Sequence, residues 1–178
     1  MNPTKGFSIP VDVVEKIRSL KMILFDFDGV FTDNFVYVDQ HGVESVKCSR
    51  SDGFGIELVT GIGIKCFIVS TETNPVVAAR AAKLKLPFVQ AVKDKSVTVR
   101  ALAEEHNCSL DEIAFVGNDK NDIPALAIVG LPVGVCDLHH SIDEYVQLKT
   151  KACGGNGAVR EFCEIVYQIK TTENGSVV

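Results

Sequence analysis

Four short, nearly continuous apolar segments constrain the fold of this chain more than any other feature. They are Met22–Phe27, Gly63–Ser70, Ile113–Val116 and Leu131–Val135. Apolar runs of this length are typical of strands that are buried on both faces, as in a parallel sheet. Helical patterns separate the four segments. The alternation predicts an α/β fold, with a Rossmann-like parallel sheet flanked by helices and right-handed crossovers.

The helical patterns and one irregular segment complete the predicted domain. The predicted helices are Val11–Leu20, Gly53–Thr60, Pro75–Leu84, Lys95–His106 and Asp122–Ala127. A β-hairpin, Phe35–Val38 and Glu44–Cys48, is predicted as an insert after the first strand, at about residues 34–48. The length of 178 residues fits one domain over residues 1–178. We expect its core at about residues 20–167 and a frayed tail over residues 171–178.

Composition argues against several classes of partner. The formal net charge of −5 leaves no basic footprint for nucleic acid. No run of about 18 apolar residues occurs, so we expect no membrane partner. Six cysteines without metal-ligand spacing are typical of reduced thiols. We therefore expect a cytoplasmic protein.

Polar residues collect where the predicted strands end. In an open parallel sheet the carboxyl ends of the strands converge on one crevice, and ligands bind there. The residues that we expect at this crevice are Asp26, Asp28, Ser70, Thr71, Lys95, Asn118, Asp119 and Asp122. Carboxylates crowded in this way repel one another unless a cation neutralises them. Oxygen ligands without histidine or cysteine favour Mg²⁺ over zinc.

The spacing of Asp26 and Asp28 suits phosphate chemistry. A carboxylate beside a phosphate and Mg²⁺ can attack phosphorus and form an aspartyl-phosphate. A second carboxyl group, presented by the same turn, can protonate the leaving alkoxide and then deprotonate the hydrolytic water. Ser70 and Lys95 would hold the remaining phosphoryl oxygens. Two such aspartates are a weak signal by themselves, and the ordered set with Ser70, Lys95 and the segment at residues 117–122 strengthens it.

That ordered set resembles the haloacid dehalogenase (HAD) superfamily of phosphohydrolases. Residues 26–33 (DFDGVFTD) look like its first motif, Ser70 like its second, Lys95 like its third and residues 117–122 (GNDKND) like its fourth. The resemblance implies that Asp26 is nucleophile and metal ligand. It also implies that Asp28 is the general acid and base, with a backbone carbonyl on Mg²⁺. Asn118 stands where the family usually has a metal-binding aspartate, and Asp119 and Asp122 are further candidate ligands.

Within the superfamily the chain is most similar to 3-deoxy-D-manno-octulosonate (KDO) 8-phosphate phosphatases and their nonulosonate 9-phosphate relatives. The short hairpin, residues 51–56 (SDGFGI) and residues 154–161 (GGNGAVRE) carry this resemblance. It implies a capless homotetramer that acts on a small sugar-acid phosphate. The substrate-binding residues that it implies, besides Ser70, Thr71 and Lys95, are Arg50, Asp52, Gly53, Glu72, Arg80, Lys83 and Arg160. Glu72 with Lys83 looks more like the nonulosonate branch.

Three other functions share part of this pattern. A two-component receiver domain also carries a phospho-aspartate, but its acceptor normally ends an internal strand. A catalytically weak oligomerisation module, associated with a sugar-acid cytidylyltransferase, stays open because of Asn118. Phosphotransfer to another sugar would need a cap that excludes water, and the sequence predicts none. His139 and His140 are predicted to lie at a helix start and not in a metal site.

Overall fold

The four predicted strands form the centre of a six-stranded parallel sheet in the computed structural model, which describes residues 9–172. In chain order the strands are β1 (Met22–Phe25), β2 (Thr32–Val38), β3 (Glu44–Cys48), β4 (Lys65–Val69), β5 (Phe88–Val89), β6 (Ile113–Gly117), β7 (Leu131–Gly134) and β8 (Leu148–Lys149). The order in the sheet is β5-β4-β1-β6-β7-β8. The predicted α/β class, a Rossmann-like sheet flanked by helices, is confirmed.

Strand β1 lies at the centre because it is apolar on both faces. Met22 and Leu24 point to one face of the sheet, whereas Ile23 and Phe25 point to the other, as the two-residue period of a strand requires. All four side chains are fully buried. Strand β1 pairs in parallel with β4 and β6, so that Phe25 stands beside Ile68 and Val116. The carboxyl ends of the three strands therefore lie next to one another.

Helices cover both faces of the sheet. They are α1 (Val11–Ser19), α2 (Ser51–Gly61), α3 (Val76–Leu84), α4 (Lys95–Glu105), α5 (Ile123–Leu126) and α6 (Ala158–Thr171). Buried side chains of α1, α2, α3 and α6 pack on one face, and those of α4 and α5 pack on the other. Helix α5 is shorter than predicted because residues 120–122 form a separate 3₁₀ turn. No helix in residues 9–172 has both the length and the apolar character that a membrane crossing requires.

The predicted insert after β1 is a two-stranded antiparallel hairpin, β2–β3. It begins earlier than predicted, because Thr32 already pairs with Cys48. Beyond Thr32 its side chains are largely exposed. The described residues between β1 and α2 contain this hairpin and no larger cap.

Two further sequence expectations concern residues near the end of the chain. His139 caps a 3₁₀ turn over residues 140–145 by accepting a hydrogen bond from Ser141 N, which confirms its predicted place at a helix start. The predicted frayed tail lies largely outside the described residues. Thr171 is the last residue of α6, and residues 173–178 are not described.

Candidate active site

A cavity of about 170 Å³ opens at the carboxyl ends of β1 and β6. Its lining consists of carboxylates, carboxamides and one hydroxyl group. The lining residues are Asp26, Asp28, Asn34, Thr71, Asn118, Asp119 and Asn121. Five of the predicted crevice residues thus surround one cavity, as the parallel-sheet geometry predicted.

Lys95 is buried and contacts both Asp26, which lines the cavity, and Asp122, which lies outside the lining. Its Nζ lies 2.6 Å from Asp26 Oδ1 and 2.6 Å from Asp122 Oδ1. All three residues are at most 2% exposed. Lys95 is the first residue of α4, and the side chain of Asp94 caps that helix by accepting a bond from Ser96 N. The helix start therefore fixes where the ammonium group enters the site.

The Asp122 carboxylate is engaged on both oxygens. Oδ1 pairs with Lys95, and Oδ2 accepts hydrogen bonds from Asn118 N (2.8 Å) and Asp119 N (3.2 Å). Asp122 is absent from the cavity lining. Its position explains why an acid belongs there, because it holds the loop after β6 and orients Lys95. Its predicted contact with a metal ion stays a prediction.

One ammonium group between two buried carboxylates leaves a net negative charge. Burial and the negative charge of Asp122 raise the pKa of Asp26 to about 7, although Lys95 opposes the shift. Burial alone would lower the pKa of Lys95, but the charges of Asp26 and Asp122 outweigh it and raise that pKa. Burial and the charge of Glu72 raise the pKa of the half-buried Asp28 carboxyl. Such a cluster is stabilised by added positive charge.

The donor set fits a hard divalent cation. Asn118 Oδ1 is buried and has no hydrogen-bond partner among the described residues, so it is available to a water molecule or to a ligand. Gly29 makes room for this amide: it has φ +74°, and a methyl group there would overlap Asn118 Nδ2. No cluster of three or more His, Cys, Asp or Glu side chains with metal-binding geometry occurs in residues 9–172. Mg²⁺ is commonly held by one or two carboxylates with water and phosphate, so Asp26, Asp28 and the Asn118 amide meet its needs.

The hydroxyl residues at the end of β4 lie beside this cluster. Thr71 lines the cavity, and its Oγ1 accepts a hydrogen bond from Asn121 Nδ2 (3.4 Å). Ser70 is fully buried, and its Oγ accepts a bond from Glu72 N (3.1 Å). Its hydroxyl proton is therefore free to be donated to another oxygen. Both residues thus lie at the expected strand end. Lys95, which was predicted with Ser70 to hold the phosphoryl oxygens, instead pairs with Asp26 and Asp122.

The predicted sugar-binding residues are not in the cavity lining. Asp52 is fully buried, and its Oδ1 accepts a bond from Arg160 N (3.2 Å) in the first turn of α6. The Arg160 side chain pairs with Glu164 and lies over the Phe54 ring. Both residues therefore hold α2 against α6 within this chain.

The other predicted sugar-binding residues lie just before or on α2, or before and along α3. Arg80 donates to Ser49 O (2.6 Å), and its Nε is buried without a partner in the described residues. Glu72 accepts bonds from the N–H groups of Thr73 and Asn74. The remaining three are Arg50 and Lys83, both exposed, and Gly53, which is half-buried on α2.

Asn34 and Asn121 line the cavity and were not among the predicted site residues. Asn121 belongs to the fourth motif but carries no titratable group, so its sequence context alone does not mark it as an acid, a base or a charged ligand. Asn34 follows the first motif directly and has φ +64°, a conformation that asparagine adopts more readily than most residues. The sequence signal that could have identified Asn34 is an asparagine at the start of the predicted hairpin, directly after the first motif.

Comparison with known proteins supports one family. The haloacid dehalogenase-like hydrolase family pattern matches residues 71–160. The KDO 8-phosphate phosphatase of Yersinia pestis is 30% identical over 156 residues, which cover 87% of this chain and 83% of that protein. The corresponding enzyme of Escherichia coli K12 is 30% identical over 159 residues, which cover 89% and 85%.

Solved structures agree with the sequence relatives. A hypothetical protein from Xanthomonas campestris superimposes with a TM-score of 0.91 and 35% identity, covering 96% of this chain and 92% of that one. KDO 8-phosphate phosphatase from Moraxella catarrhalis, crystallised with magnesium, phosphate and KDO, gives a TM-score of 0.86 at 26% identity, covering 89% and 92%. The predicted resemblance is confirmed by the matched family pattern and by relatives that align with most of this chain. This chain belongs to the haloacid dehalogenase-like hydrolase family.

Proposed function

We propose that this protein is a Mg²⁺-dependent phosphatase of a 2-keto-3-deoxy sugar-acid phosphate, either KDO 8-phosphate or a nonulosonate 9-phosphate. One observation carries the proposal. Asp26 Oδ1 is held by Phe27 N–H (2.7 Å) and Lys95 (2.6 Å), while Oδ2 makes no hydrogen bond with any described residue. An oriented carboxylate with one free oxygen in a polar cavity is suited to attack a bound phosphoryl group.

Asp26 would be the nucleophile. Attack by Oδ2 on phosphorus forms an aspartyl-phosphate and breaks the bond to the sugar oxygen. Lys95 keeps the carboxylate oriented during this step. The hydroxyl groups of Ser70 and Thr71 would hold the phosphoryl oxygens. The N–H groups of Gly29 and Val30, in the turn after Asp28, already donate to Thr32 Oγ1 and to Phe27 O, so the turn is not assigned this role.

Asp28 would move the proton. Its pKa is raised by burial, which favours the protonated form that a general acid needs. It would donate this proton to the departing sugar alkoxide, and the resulting carboxylate would then deprotonate the water that hydrolyses the aspartyl-phosphate.

The metal would be held by Asp26, Asp28 and Asn118, with Asp119 at the cavity edge and Asp122 behind the loop. Bound Mg²⁺ supplies charge neutralisation and polarises the phosphoryl group. The orphaned Asn118 Oδ1 and the oxygen-only lining support this choice of cation.

The sugar acid would extend beyond the cavity. A volume of about 170 Å³ is below the roughly 300–1,000 Å³ of pockets for drug-sized ligands, so it suits the phosphoryl end alone. By family resemblance, the rest of the substrate would contact Arg50, Asp52, Gly53, Glu72, Arg80, Lys83 and Arg160. Arginine suits the sugar acid's carboxylate because its planar donors match two oxygens. Since Asp52 and Arg160 contact each other within the chain, we expect them to act mainly by positioning their neighbours.

A homotetramer would complete the enzyme. The hairpin exposes a group of large apolar side chains: Phe35 (72%), Val36 (53%), Tyr37 (63%), Val38 (58%) and Val43 (62%). Contiguous exposed apolar surface of this kind marks interaction sites. We expect Phe35→Ser/Tyr37→Ser to lower the sedimentation coefficient from that of a tetramer to that of smaller species. A wild-type monomer at micromolar concentration would contradict the proposal.

The cytoplasm is the proposed location. All six cysteines are free thiols, and free thiols persist in reducing compartments.

Kinetics of three aspartate variants test the catalytic roles. We expect Asp26→Asn to abolish turnover of KDO 8-phosphate while keeping the fold, because the amide is a poor nucleophile. Asp28→Asn should impair both formation and hydrolysis of the aspartyl-phosphate, which single-turnover measurements separate. Asp33→Asn is the matched control, since Asp33 lies in the same segment but forms a surface pair with Lys47.

Three outcomes decide between the proposals. An active Asp26→Asn variant would refute the nucleophile assignment. Comparing kcat/KM for KDO 8-phosphate and nonulosonate 9-phosphates decides the sugar, since that ratio measures differential transition-state binding. Two features favour one rival function, the oligomerisation module. They are Asn118, which stands where the family usually has an aspartate, and the exposed hairpin. If the wild-type protein shows no Mg²⁺-dependent turnover of p-nitrophenyl phosphate, that result would support the oligomerisation module.

A further inference from the structure

Asn34 stands at the mouth of the cavity where the hairpin begins. It lines the cavity together with Asp26, Asp28 and Asp119. Its side chain is exposed and makes no hydrogen bond with any described residue. Its φ of +64° is a conformation in which glycine would be the least strained choice. Asparagine also tolerates this conformation better than most residues do, so the backbone accepts either residue. Unlike glycine, asparagine adds a carboxamide to the cavity lining.

The backbone of Asn34 is tied to the turn that follows Asp28. The fully buried Thr32 hydroxyl accepts a hydrogen bond from Asn34 N (3.2 Å) and another from Gly29 N (3.0 Å). One oxygen thus fixes the start of the hairpin and the turn beside the phosphate position. The backbone of Asn34 is therefore held at a set place relative to the reacting group.

The chemistry of the lining separates two regions. Inside the cavity, carboxylates and the Asn118 oxygen suit a cation and a phosphoryl group. At the mouth, Asn34 carries no charge and offers two donors and one acceptor. A neutral amide pairs with hydroxyl groups of either polarity and does not repel a phosphate dianion. Because the cavity holds little more than the phosphoryl end, the first carbons of the leaving group lie at its exposed rim, which Asn34 shares with Thr71 and Asn121.

We propose that Asn34 is a specificity-determining residue that hydrogen-bonds the hydroxyl groups next to the phosphate ester of a polyhydroxylated substrate. The inference rests on the proposed phosphatase function and deepens it. Asn34 selects hydroxylated leaving groups over aromatic or aliphatic ones, and it has no part in the chemical step on phosphorus.

Asn34→Gly is the informative variant because glycine tolerates φ +64° and removes only the amide. Kinetics are measured on KDO 8-phosphate and on p-nitrophenyl phosphate, which has no hydroxyl group. The inhibition constant of inorganic phosphate is measured in parallel. Gln40→Gly, which removes an exposed amide near the hairpin tip outside the cavity lining, is the matched control.

We expect Asn34→Gly to raise KM for KDO 8-phosphate about tenfold, the typical effect of losing one or two hydrogen bonds. The kcat/KM for p-nitrophenyl phosphate and the inhibition constant of phosphate should stay within about twofold of wild type. Asn34→Asp should lower kcat/KM for both substrates, most strongly at low ionic strength, because it adds negative charge near the phosphate.

The possible failures are distinguishable. If Asn34→Gly changes the kinetic constants for both substrates equally, or for neither, the inference about Asn34 is overturned. The proposed phosphatase function would still stand in that case, provided that the wild-type protein hydrolyses KDO 8-phosphate. The same selectivity loss in Gln40→Gly would also overturn it, since the effect would then come from the hairpin as a whole. Wild-type protein that hydrolyses p-nitrophenyl phosphate but no sugar-acid phosphate, or neither substrate, would overturn both.

Discussion

The substitution Asn118→Asp tests the proposed Mg²⁺ site most sharply, because its expected effect on stability has opposite signs without and with Mg²⁺. Asn118 Oδ1 is buried and has no partner among the described residues. An aspartate there places a third carboxylate beside Asp26 and Asp28. Each such pair, about 5 Å apart at an effective dielectric of about 20, repels by roughly 3 kcal/mol. The metal-free variant should therefore be less stable than wild type by up to several kcal/mol.

A divalent cation reverses the balance. At equal distance, its attraction for one added negative charge matches the two new repulsions together. A coordinated oxygen also lies much closer to the metal, at about 2.1 Å for Mg²⁺. The net effect should be tighter binding, and we expect the dissociation constant of Mg²⁺ to fall about 10- to 100-fold, or by roughly 1.4–2.8 kcal/mol.

Two measurements check this expectation. Calorimetric titration gives the dissociation constant of Mg²⁺, and thermal melts with and without Mg²⁺ give the two stability changes. Asn121→Asp is the matched control, because Asn121 lines the same cavity but is exposed and bonded to Thr71. We expect it to change the Mg²⁺ affinity less than threefold. Unchanged affinity in Asn118→Asp, or an equal gain in the control, would refute the assignment of Asn118 as a ligand.

Three further predictions concern buried groups at the proposed Mg²⁺ site and between α2 and α6. Lys95→Met leaves two buried carboxylates without their cation, so urea titrations should show a free energy of unfolding lower by about 3–5 kcal/mol; an equally stable variant would refute the buried pairing. Burial raises the pKa of Asp52 from 3.8 to about 6, so the folded state holds this proton more tightly than the unfolded state. The free energy of unfolding should fall by up to roughly 3 kcal/mol as pH rises through that window. Thermal melts at pH 4 and pH 7 should show this fall in wild type and not in Asp52→Asn, and an equal fall in both proteins would contradict the prediction. Gly29→Ala should push the Asn118 amide aside and weaken Mg²⁺ binding in calorimetric titrations, with unchanged binding as the contrary result.

Local sequence patterns were enough to predict the centre of the fold. A strand buried on both faces must be apolar at every position, and this signal needs no knowledge of distant residues. It identified all four central strands and placed Asp26 and Asp28 at a strand end. The edge strands β5 and β8 were missed because each has two residues, too few for a pattern.

The tertiary structure decided how the polar residues divide their work. From the sequence, Asp119 and Asp122 were both candidate metal ligands. The structure places Asp119 at the cavity, whereas Asp122 binds Lys95 and two backbone N–H groups outside the lining. That difference depends on where α4 meets the loop after β6, a distance that no local pattern encodes.

The sequence by itself determined the α/β class, the crevice and the pair Asp26 and Asp28, because hydrophobic burial and strand-end geometry act over a few residues. Only the tertiary structure revealed that Asn34 belongs to the cavity and that Asn118 has an unsatisfied oxygen. Both facts follow from approaches between segments far apart in the chain. Burial and the satisfaction of hydrogen bonds are properties of the packed molecule and not of the residue type.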